Sequence, residues 1–275
     1  MPNDFRADLH CHSTCSDGSD PPEVLLRLAK EVGLKGLSIT DHDTIAAYTP
    51  ELFAEAQTLG IQLLPGMEIS SELEGTSVHI LGYGFDVHSQ KLNEFLTLMQ
   101  TKRNERNRGI LKRLADRKMV ILEEELKTFA ANRSIGRPHI AQLMVRKGYV
   151  KTEREAFDHY LREGGLCYTS GIKFTPKEVI EQIHLANGKA VLAHPHFIKK
   201  HSFLKKLLDL PFDGIECYYS MLAKAQELPW VKLAKDKDLI ATGGSDYHGE
   251  IKPHIRLGSS WVNEEIFEQL KASDR

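Results

Sequence analysis

Residues 5–43 have the sequence FRADLHCHSTCSDGSDPPEVLLRLAKEVGLKGLSITDHD, and this stretch decides the fold. An apolar run ends at His10, a turn follows at 15–20, and an amphipathic helix begins at Pro22 and stops at Gly33. A second apolar run follows at 36–40. A strand, a helix and a strand in this order indicate parallel strands that are joined by a helical crossover. The stretch therefore predicts an α/β fold.

The same alternation of strands and helices returns in the last third of the chain. We expect further strands at 61–64, 78–82, 189–193, 214–218, 239–243 and 257–262, and further helices at 45–59, 177–187, 203–208 and 221–235. Residues 91–171 are more charged and almost entirely helical in pattern, with one short strand expected at 166–169. We therefore predict one α/β domain from residues 1–90 and 172–275, and an inserted helical subdomain at 91–171.

The composition is that of an ordinary globular protein with an excess of histidine. Apolar residues make up 41% and charged residues 27% of the 275 residues, which argues against a disordered chain. No apolar run is long enough to span a membrane, the first residues do not resemble a signal peptide, and the four cysteines are scattered. We therefore expect a cytoplasmic protein without membrane contact. The net charge of −2 makes stable binding to duplex nucleic acid unexpected.

Many of the 13 histidines stand with carboxylates at or near the ends of predicted strands. His10 and His12 are two residues apart, so they point the same way, and Cys11 points to the opposite face. Six such places offer an imidazole or a carboxylate, and they are Asp8–His12 with Asp17, Thr40–Asp43, Glu68, His79, Ala193–His196 and Gly243–His248. Strand ends meet at one edge of a parallel sheet or barrel. Nitrogen and oxygen ligands together favour zinc, manganese or iron over copper or an iron–sulfur cluster.

Several short motifs resemble those of the PHP (polymerase and histidinol phosphatase) phosphoesterases. The matching segments are Asp8-Leu9-His10-Cys11-His12-Ser13, Thr40-Asp41-His42-Asp43, Glu68, His79, Ala193-His194-Pro195 and Ser245-Asp246-Tyr247-His248. The resemblance implies a distorted (β/α)₇ barrel and a centre of two or three divalent metal ions. It places His10, His12, Glu68 and Asp246 on one ion, Glu68, His79 and His194 on a second, and Asp17, His42 and His248 on a third. Some members of the family have histidine in place of Asp17, so the identity of the third metal is less certain in this sequence.

The helical insertion and its Gly136-Arg137-Pro138-His139 motif are similar to those of one subgroup, which acts on nucleoside 3',5'-bisphosphates and short RNA. The resemblance implies that Arg137, His139 and His196 face the substrate phosphate. An arginine fork fits phosphate oxygens, and the helix that follows presents free N–H groups. Two alternative interpretations remain open, namely that Arg137 is an ordinary surface residue and that His196 has no role in the site. The basic run 102–108 is either a solvated helix face or a guide for RNA.

The resemblance therefore implies hydrolysis of phosphate esters by metal-bound hydroxide in a cytoplasmic enzyme. The expected substrates are nucleoside 3',5'-bisphosphates, which would lose the 3'-phosphate, and short 5'-phosphorylated RNA, which would be degraded from 5' to 3'. Another phosphomonoesterase such as histidinol phosphatase is one alternative. An amidohydrolase-like metallo-hydrolase is a second, although no lysine stands at the strand ends. A non-catalytic module attached to a polymerase is a third.

Overall fold

Eight strands form two hydrogen-bonded sheets in the computed structural model, which describes residues 4–131, 133–171 and 174–271. The first sheet is parallel and has the order β1 (Ala7–Cys11), β2 (Gly36–Ile39) and β3 (Gln62–Leu63). The second has the order β4 (Gly66–Leu73), β5 (Thr76–Tyr83), β6 (Lys189–Leu192), β7 (Gly214–Tyr219) and β8 (Ile240–Gly244). Isolated parallel bridges connect the two sheets at His42 with Glu68 and at Cys11 with Tyr247. These hydrogen bonds confirm the α/β class but do not form one continuous ladder around a complete (β/α)₇ barrel.

The second sheet is mixed, whereas the strand–helix alternation predicted parallel strands throughout. β4 pairs antiparallel with β5, and β5 pairs antiparallel with β6. The cause is a tight turn at Glu74-Gly75, where both residues have positive φ (52° and 79°), as two-residue hairpins require. Strand β4 was missed by the sequence analysis, so Glu68 lies within a strand rather than in a loop after one.

Two of the predicted strands are absent from the described structure. Residues 257–262 form turns, with one bridge from Val262 to Ala7, because Gly258 takes a left-handed conformation (φ 75°). Residues 166–169 form a turn whose backbone N–H groups at Leu166 and Cys167 donate to carbonyls of the preceding helical turn.

Ten α-helices lie among the described residues. They are α1 (Pro22–Glu31), α2 (Pro50–Leu59), α3 (Gln90–Ala115), α4 (Glu123–Ala130), α5 (Arg137–Arg146), α6 (Glu153–Ala156), α7 (Pro176–Leu185), α8 (His201–Leu208), α9 (Lys224–Asp236) and α10 (Glu264–Gln269). A π-helical turn, Phe157–Leu161, follows α6. Helix α2 begins five residues later than predicted, because the Thr49 side chain caps it and Pro50 occupies its first position.

Helix α3 joins the helical region to the sheets. Its first half contributes Leu92, Phe95 and Met99 to a hydrophobic core shared with β4–β7 and α7. Its second half packs with α4–α6 in a separate core, formed by residues between 110 and 167. The predicted boundary at residue 172 lies outside the described residues. No helix in the described ranges is both long and apolar enough to cross a membrane.

Candidate metal centre

All nine side chains that the sequence predicts as metal ligands lie around one centre. They come from the ends of β1 and β2, from β4 and β5, and from the segments after β6 and β8. Their ligand atoms form three overlapping groups, each within 4.8 Å, which are His10–His12–Asp246, His42–Glu68–His79 and His12–Asp17–His42–His248. His194 adjoins the second group through Glu68.

Glu68 lies at the middle of this cluster, with only 1% of its surface exposed. Its Oε1 lies 2.8 Å from His79 Nδ1 and 2.9 Å from His194 Nε2. Its Oε2 lies 3.4 Å from His10 Nε2, 3.2 Å from His12 Nε2 and 3.3 Å from His42 Nδ1. The two carboxylate oxygens therefore face different sets of imidazoles, as a ligand shared by two metal ions would.

Asp17 and Asp246 flank the cluster on two sides. Asp246 Oδ1 lies 3.5 Å from the nearest ring nitrogens of His10, His12 and His248. Asp17 lies 3.6 Å from His12 and His248 and 3.7 Å from His42. Imidazoles from distant parts of the chain thus converge on the same carboxylates.

The cluster fits divalent metal ions on two observations. First, His10 Nε2, His42 Nδ1 and both ring nitrogens of His12 are buried and have no hydrogen-bond partner within the described chain, which is costly without a ligand. Second, most of these nitrogen–oxygen separations lie between 3.2 and 3.7 Å. That spacing is long for a hydrogen bond, but two atoms that ligate one tetrahedral ion lie roughly 3.3–3.6 Å apart.

Neighbouring imidazoles lower the pKa of the carboxylates at the centre of this cluster. Burial alone would raise the pKa of Glu68, but His42, His79 and His10 around it lower that pKa well below its usual range. The pKa of Asp17 is lowered in the same way, since His42 and His248 outweigh its burial. Burial in turn lowers the pKa of His248 to about 4, which favours the neutral ring that can ligate a metal.

Other acidic residues of the sequence motifs hold the backbone around the cluster. Asp8 accepts hydrogen bonds from the backbone N–H groups of His10 (3.2 Å), Ser245 (2.9 Å) and Gly258 (2.8 Å), which ties β1 to the end of β8. Asp41 accepts from Ser13 N at 2.8 Å. These aspartates are structural neighbours of the ligands.

Three non-glycine residues near the site have positive φ, namely Asp43 (53°), His194 (28°) and Asp246 (58°). This conformation is uncommon for non-glycine residues. It occurs more often at functional sites, where the surrounding structure enforces it.

The sequence analysis missed three side chains that contact the predicted ligands. Glu216 in β7 lies 2.8 Å from His10 Nδ1 and accepts a 2.7 Å hydrogen bond from His194 N. Tyr219 Oη and Lys252 Nζ each donate to Asp246 Oδ2 at 2.7 Å, which leaves Oδ1 for the histidines. A carboxylate inside the apolar strand Gly214–Tyr219 was the one signal in the sequence that could have indicated Glu216.

The three predicted phosphate contacts have different surroundings. Arg137 lines a cavity beside the cluster, and its Nη1 donates to Leu161 O at 3.3 Å. His139 is 2% exposed, and its Nδ1 accepts a 3.0 Å hydrogen bond from Gly136 N, so it fixes the start of α5. His196 packs against Tyr219 with the two rings tilted by 51°, and neither of its buried ring nitrogens has a partner among the described residues. Burial lowers the pKa of His196 to about 4.

The basic run 102–108 is only partly a solvated helix face. Lys102 and Arg108 are exposed, or nearly so, and pair with glutamates, but Arg103 and Arg106 are 4% and 8% exposed. Arg103 Nη2 lies 2.6 Å from Asp43 Oδ2. Both buried arginines line the same cavity as Arg137. This cavity has a volume of about 130 Å³.

The remaining five histidines are exposed. They are His88, His159, His184, His201 and His254. The histidine excess is therefore concentrated in one cluster and its surroundings.

Comparison with known proteins agrees with this geometry. The family model for the PHP domain matches residues 8–192. The 5'-3' exoribonuclease Rnm of Escherichia coli K12 is 33% identical over 91% of this chain and 87% of its own. A phosphoribosyl 1,2-cyclic phosphate 1,2-diphosphodiesterase of Eggerthella lenta is 30% identical over 90% and 97%. A 3',5'-nucleoside bisphosphate phosphatase of Chromobacterium violaceum is 32% identical over 88% and 86%.

A solved structure from Bifidobacterium adolescentis, described there as a metal-dependent phosphoesterase, superposes with a TM-score of 0.85. It is 28% identical and covers 96% of this chain and 94% of its own. The chain therefore belongs to the PHP domain family. It is a metal-dependent phosphoesterase, an enzyme that hydrolyses phosphate esters.

Proposed function

We propose that this enzyme removes the 3'-phosphate of nucleoside 3',5'-bisphosphates and degrades short 5'-phosphorylated RNA from the 5' end. The proposal rests on one observation, that predicted metal ligands and arginines line the same cavity. Asp17, His42 and His79 line the same cavity as Arg106 and Arg137. A phosphate ester bound there would meet the metal ligands and the guanidinium groups together. Relatives named as a bisphosphate phosphatase and as 5'-3' exoribonucleases support this choice.

The proposed metal assignment is the one that the family resemblance implies, and the two sets of imidazoles around Glu68 support it. His10, His12 and Asp246 would hold one ion together with Glu68 Oε2, and Glu68 Oε1 would join His79 and His194 on a second. Asp17, His42 and His248 would hold a third. We propose manganese, iron or zinc, since imidazole and carboxylate ligands suit all three. Bound ions of this kind activate water as a nucleophile and neutralise phosphoryl oxygens.

The surrounding side chains position the ligands and the substrate. Glu216 would hold the His10 ring so that Nε2 faces the centre, and Tyr219 with Lys252 would hold Asp246. Arg137 would bind phosphoryl oxygens and oppose the charge that grows on them during the reaction. His139 would act indirectly, because its contact with Gly136 N fixes the turn that presents Arg137. His196, with two free ring nitrogens, would contact the leaving oxygen or the phosphate.

The reaction is a hydrolysis and needs no further reactant. Water supplies the oxygen that bonds to phosphorus, the ester oxygen leaves with a proton, and phosphate and an alcohol are the products. On a phosphodiester in RNA, the same cleavage at the 3' oxygen would leave the 3' hydroxyl on the released 5'-mononucleotide and the phosphate on the remaining chain.

The amidohydrolase-like alternative finds little support in the site. Its bridging ligand would be a carbamylated lysine, whereas the lysine that contacts a predicted ligand, Lys252, donates a 2.7 Å hydrogen bond to Asp246 Oδ2. In the proposed site Glu68 would take the bridging position. A phosphate ester is therefore the better substrate class for this geometry.

The test is phosphate release from a panel of esters by the Mn²⁺-loaded protein. The panel contains adenosine 3',5'-bisphosphate, histidinol phosphate, phosphoribosyl 1,2-cyclic phosphate and a 5'-phosphorylated tetraribonucleotide, with product nucleotides followed chromatographically. We expect the bisphosphate and the RNA to react fastest. His12→Ala should abolish turnover, whereas His254→Ala, which removes an exposed histidine, should not change it. A preference for histidinol phosphate or the cyclic phosphate would refute the proposed substrates.

A further inference from the structure

A second, larger cavity opens beside the metal ligands. It has a volume of about 550 Å³, which is within the range of small-molecule sites, about 300–1,000 Å³. His79 and His194, two predicted metal ligands, lie on its wall. Ser77, His79 and Arg137 line both this second cavity and the arginine-lined cavity described above. A substrate chain that is held at the metal ligands therefore has room to continue into the second cavity.

An exposed aromatic ring lines the second cavity next to a predicted metal ligand. Phe197 is 60% exposed, and the centre of its ring lies 5.4 Å from that of His194 and 4.3 Å from that of His196. It ends a short 3₁₀ turn, Pro195–Phe197, and its backbone N–H donates to His194 O at 3.1 Å. The backbone thus fixes an apolar platform beside the metal ligands, and a nucleobase that stacks on it would remove this surface from water.

Two exposed lysines follow Phe197 on the wall of the second cavity. They are Lys199 and Lys200, and neither has a carboxylate within 4.0 Å among the described residues. Lysines that line a cavity beside an exposed ring give it a positive charge without a fixed geometry. Such a surface suits the phosphates of a flexible strand.

The two carboxylates on the wall of this cavity already have partners. Glu74 forms an ion pair with Lys206, and Glu163 Oε1 accepts a 2.7 Å hydrogen bond from Ser77 N. Because these contacts engage the negative charges, Lys199 and Lys200 stay available for an anionic ligand.

We propose that the second cavity binds the part of an RNA substrate that follows the cleaved phosphate. The base of the second nucleotide would stack on Phe197, and the next phosphate along the strand would lie at Lys199 and Lys200. This inference rests on the proposed function and extends it. A basic groove with an aromatic platform is a general arrangement for binding single-stranded nucleic acid, and it is tolerant of base identity because every base can stack.

The second cavity would separate the two proposed substrates. A nucleoside 3',5'-bisphosphate ends at the phosphate that is cleaved, so it has no group that reaches Phe197 or the lysines. RNA continues beyond that phosphate and would gain the stacking and the charge contacts. Changes in this cavity should therefore affect RNA and leave the bisphosphate unaffected.

The kinetic experiment uses the full-length Mn²⁺-loaded protein and measures kcat/KM for three substrates. These are adenosine 3',5'-bisphosphate, 5'-phosphorylated diadenylate and 5'-phosphorylated tetraadenylate. Phe197→Ala removes the ring, and Phe197→Tyr keeps it. Leu228→Ala is the matched control, since it truncates an apolar side chain on α9 that is 66% exposed.

The lysines are tested as a pair in the same assay. One double variant combines Lys199→Met with Lys200→Met. The control combines Lys232→Met with Lys235→Met, which removes two exposed charges from α9. Binding is measured separately by calorimetry, with a tetraadenylate analogue in which a methylene group replaces the 3' oxygen of the first ribose, so that the first linkage cannot be hydrolysed there.

We expect Phe197→Ala to lower kcat/KM for the diadenylate by roughly 5- to 100-fold, the usual contribution of one stacked base, and to leave the bisphosphate unchanged. Phe197→Tyr and Leu228→Ala should match the wild type. The double variant at Lys199 and Lys200 should lower kcat/KM for the tetraadenylate by roughly 2- to 30-fold, as expected for two exposed ion pairs. Its binding of the analogue should depend less on salt, by roughly 0.7 in the logarithmic slope for each phosphate contact that is lost.

Two results would overturn the RNA site in the second cavity. One is unchanged binding of the analogue in Phe197→Ala. The other is an equal loss of kcat/KM for the bisphosphate and the diadenylate, because a purely structural ring, or one that serves the first nucleotide, would affect both substrates alike. If no ester is hydrolysed but binding of the analogue still depends on Phe197, the RNA site stands and the proposed function fails. If both substrates react and Phe197→Ala changes neither rate, the proposed function stands and the RNA site fails.

Discussion

Replacement of Glu216 by glutamine tests how the structure prepares a histidine for metal binding. Glu216 is fully buried, and both of its carboxylate oxygens are used. Oε1 lies 2.8 Å from His10 Nδ1, and Oε2 accepts from His194 N at 2.7 Å. A carboxylate oxygen accepts hydrogen bonds, so this contact favours the neutral tautomer of His10 that has its proton on Nδ1. In that tautomer Nε2, which faces Glu68 and Asp246, offers its lone pair to a metal ion.

A glutamine of the same shape cannot serve both partners. If its NH₂ group faces His10, the ring must accept at Nδ1 and move its proton to Nε2, which then no longer ligates. If the NH₂ group faces His194 N, two donors meet and a buried N–H group loses its partner. Loss of one hydrogen bond to a charged group costs about 1.5–3 kcal/mol. We therefore expect Glu216→Gln to weaken metal binding by roughly 10- to 100-fold, as is usual for partners of metal-binding histidines.

The assay is the dissociation constant for Mn²⁺, measured by competition with a chelating dye. The control is Glu181→Gln, which changes a carboxylate that is 55% exposed and lies on the surface of α7. Circular dichroism and a thermal melt in excess metal check that both variants fold. Unchanged Mn²⁺ affinity in folded Glu216→Gln would refute the claim that Glu216 sets the proton position on His10.

Three further predictions concern stability. Arg103→Met should lower the free energy of unfolding by about 3–5 kcal/mol in urea titrations, because it leaves the carboxylate of Asp43 buried without its cation; a loss below 1 kcal/mol would contradict this. Tyr48→Phe should cost about 1–3 kcal/mol in the same assay, since the hydroxyl donates to Ile39 O at 2.7 Å and accepts from Gly66 N at 2.7 Å in the core; an unchanged midpoint would show that these groups find other partners. Removal of metal by a chelator should lower the melting temperature. Mn²⁺ at 100 times its dissociation constant should then raise the free energy of unfolding by about 2.7 kcal/mol. An unchanged melting temperature on addition of Mn²⁺ would argue against binding to the folded state.

Local periodicity predicted part of the site, and the resemblance to the PHP phosphoesterases implied the full set of ligands. His10 and His12 lie two apart at the end of β1, so strand geometry alone puts them on one face, and the structure brings both to Glu68. The same argument turns Cys11 away, and its thiol indeed donates to Ser38 O. Strand ends could be located from short apolar runs, and their convergence follows from the α/β class.

Contacts between residues far apart in the chain could not be predicted in this way. Arg103 and Arg106 are in a highly charged helix, and only the packing of that helix against Asp43 and Gly171 buries them. Glu216 lies 206 residues from His10, so the pair is visible only in three dimensions. The antiparallel β4–β5 hairpin was missed because its turn has Glu74 at positive φ, a position where glycine, asparagine or aspartate is the usual signal.

The most direct test of the central claim is the anomalous scattering of Mn²⁺-loaded crystals at the manganese absorption edge. We expect at least two peaks within bonding distance of the cluster, with Glu68 contacting both. The first peak should be bonded to His10, His12 and Asp246, and the second to His79 and His194. Peaks only at other sites would contradict the proposed metal centre. The absence of any peak in this cluster, in crystals of protein that hydrolyses phosphate esters, would also contradict it.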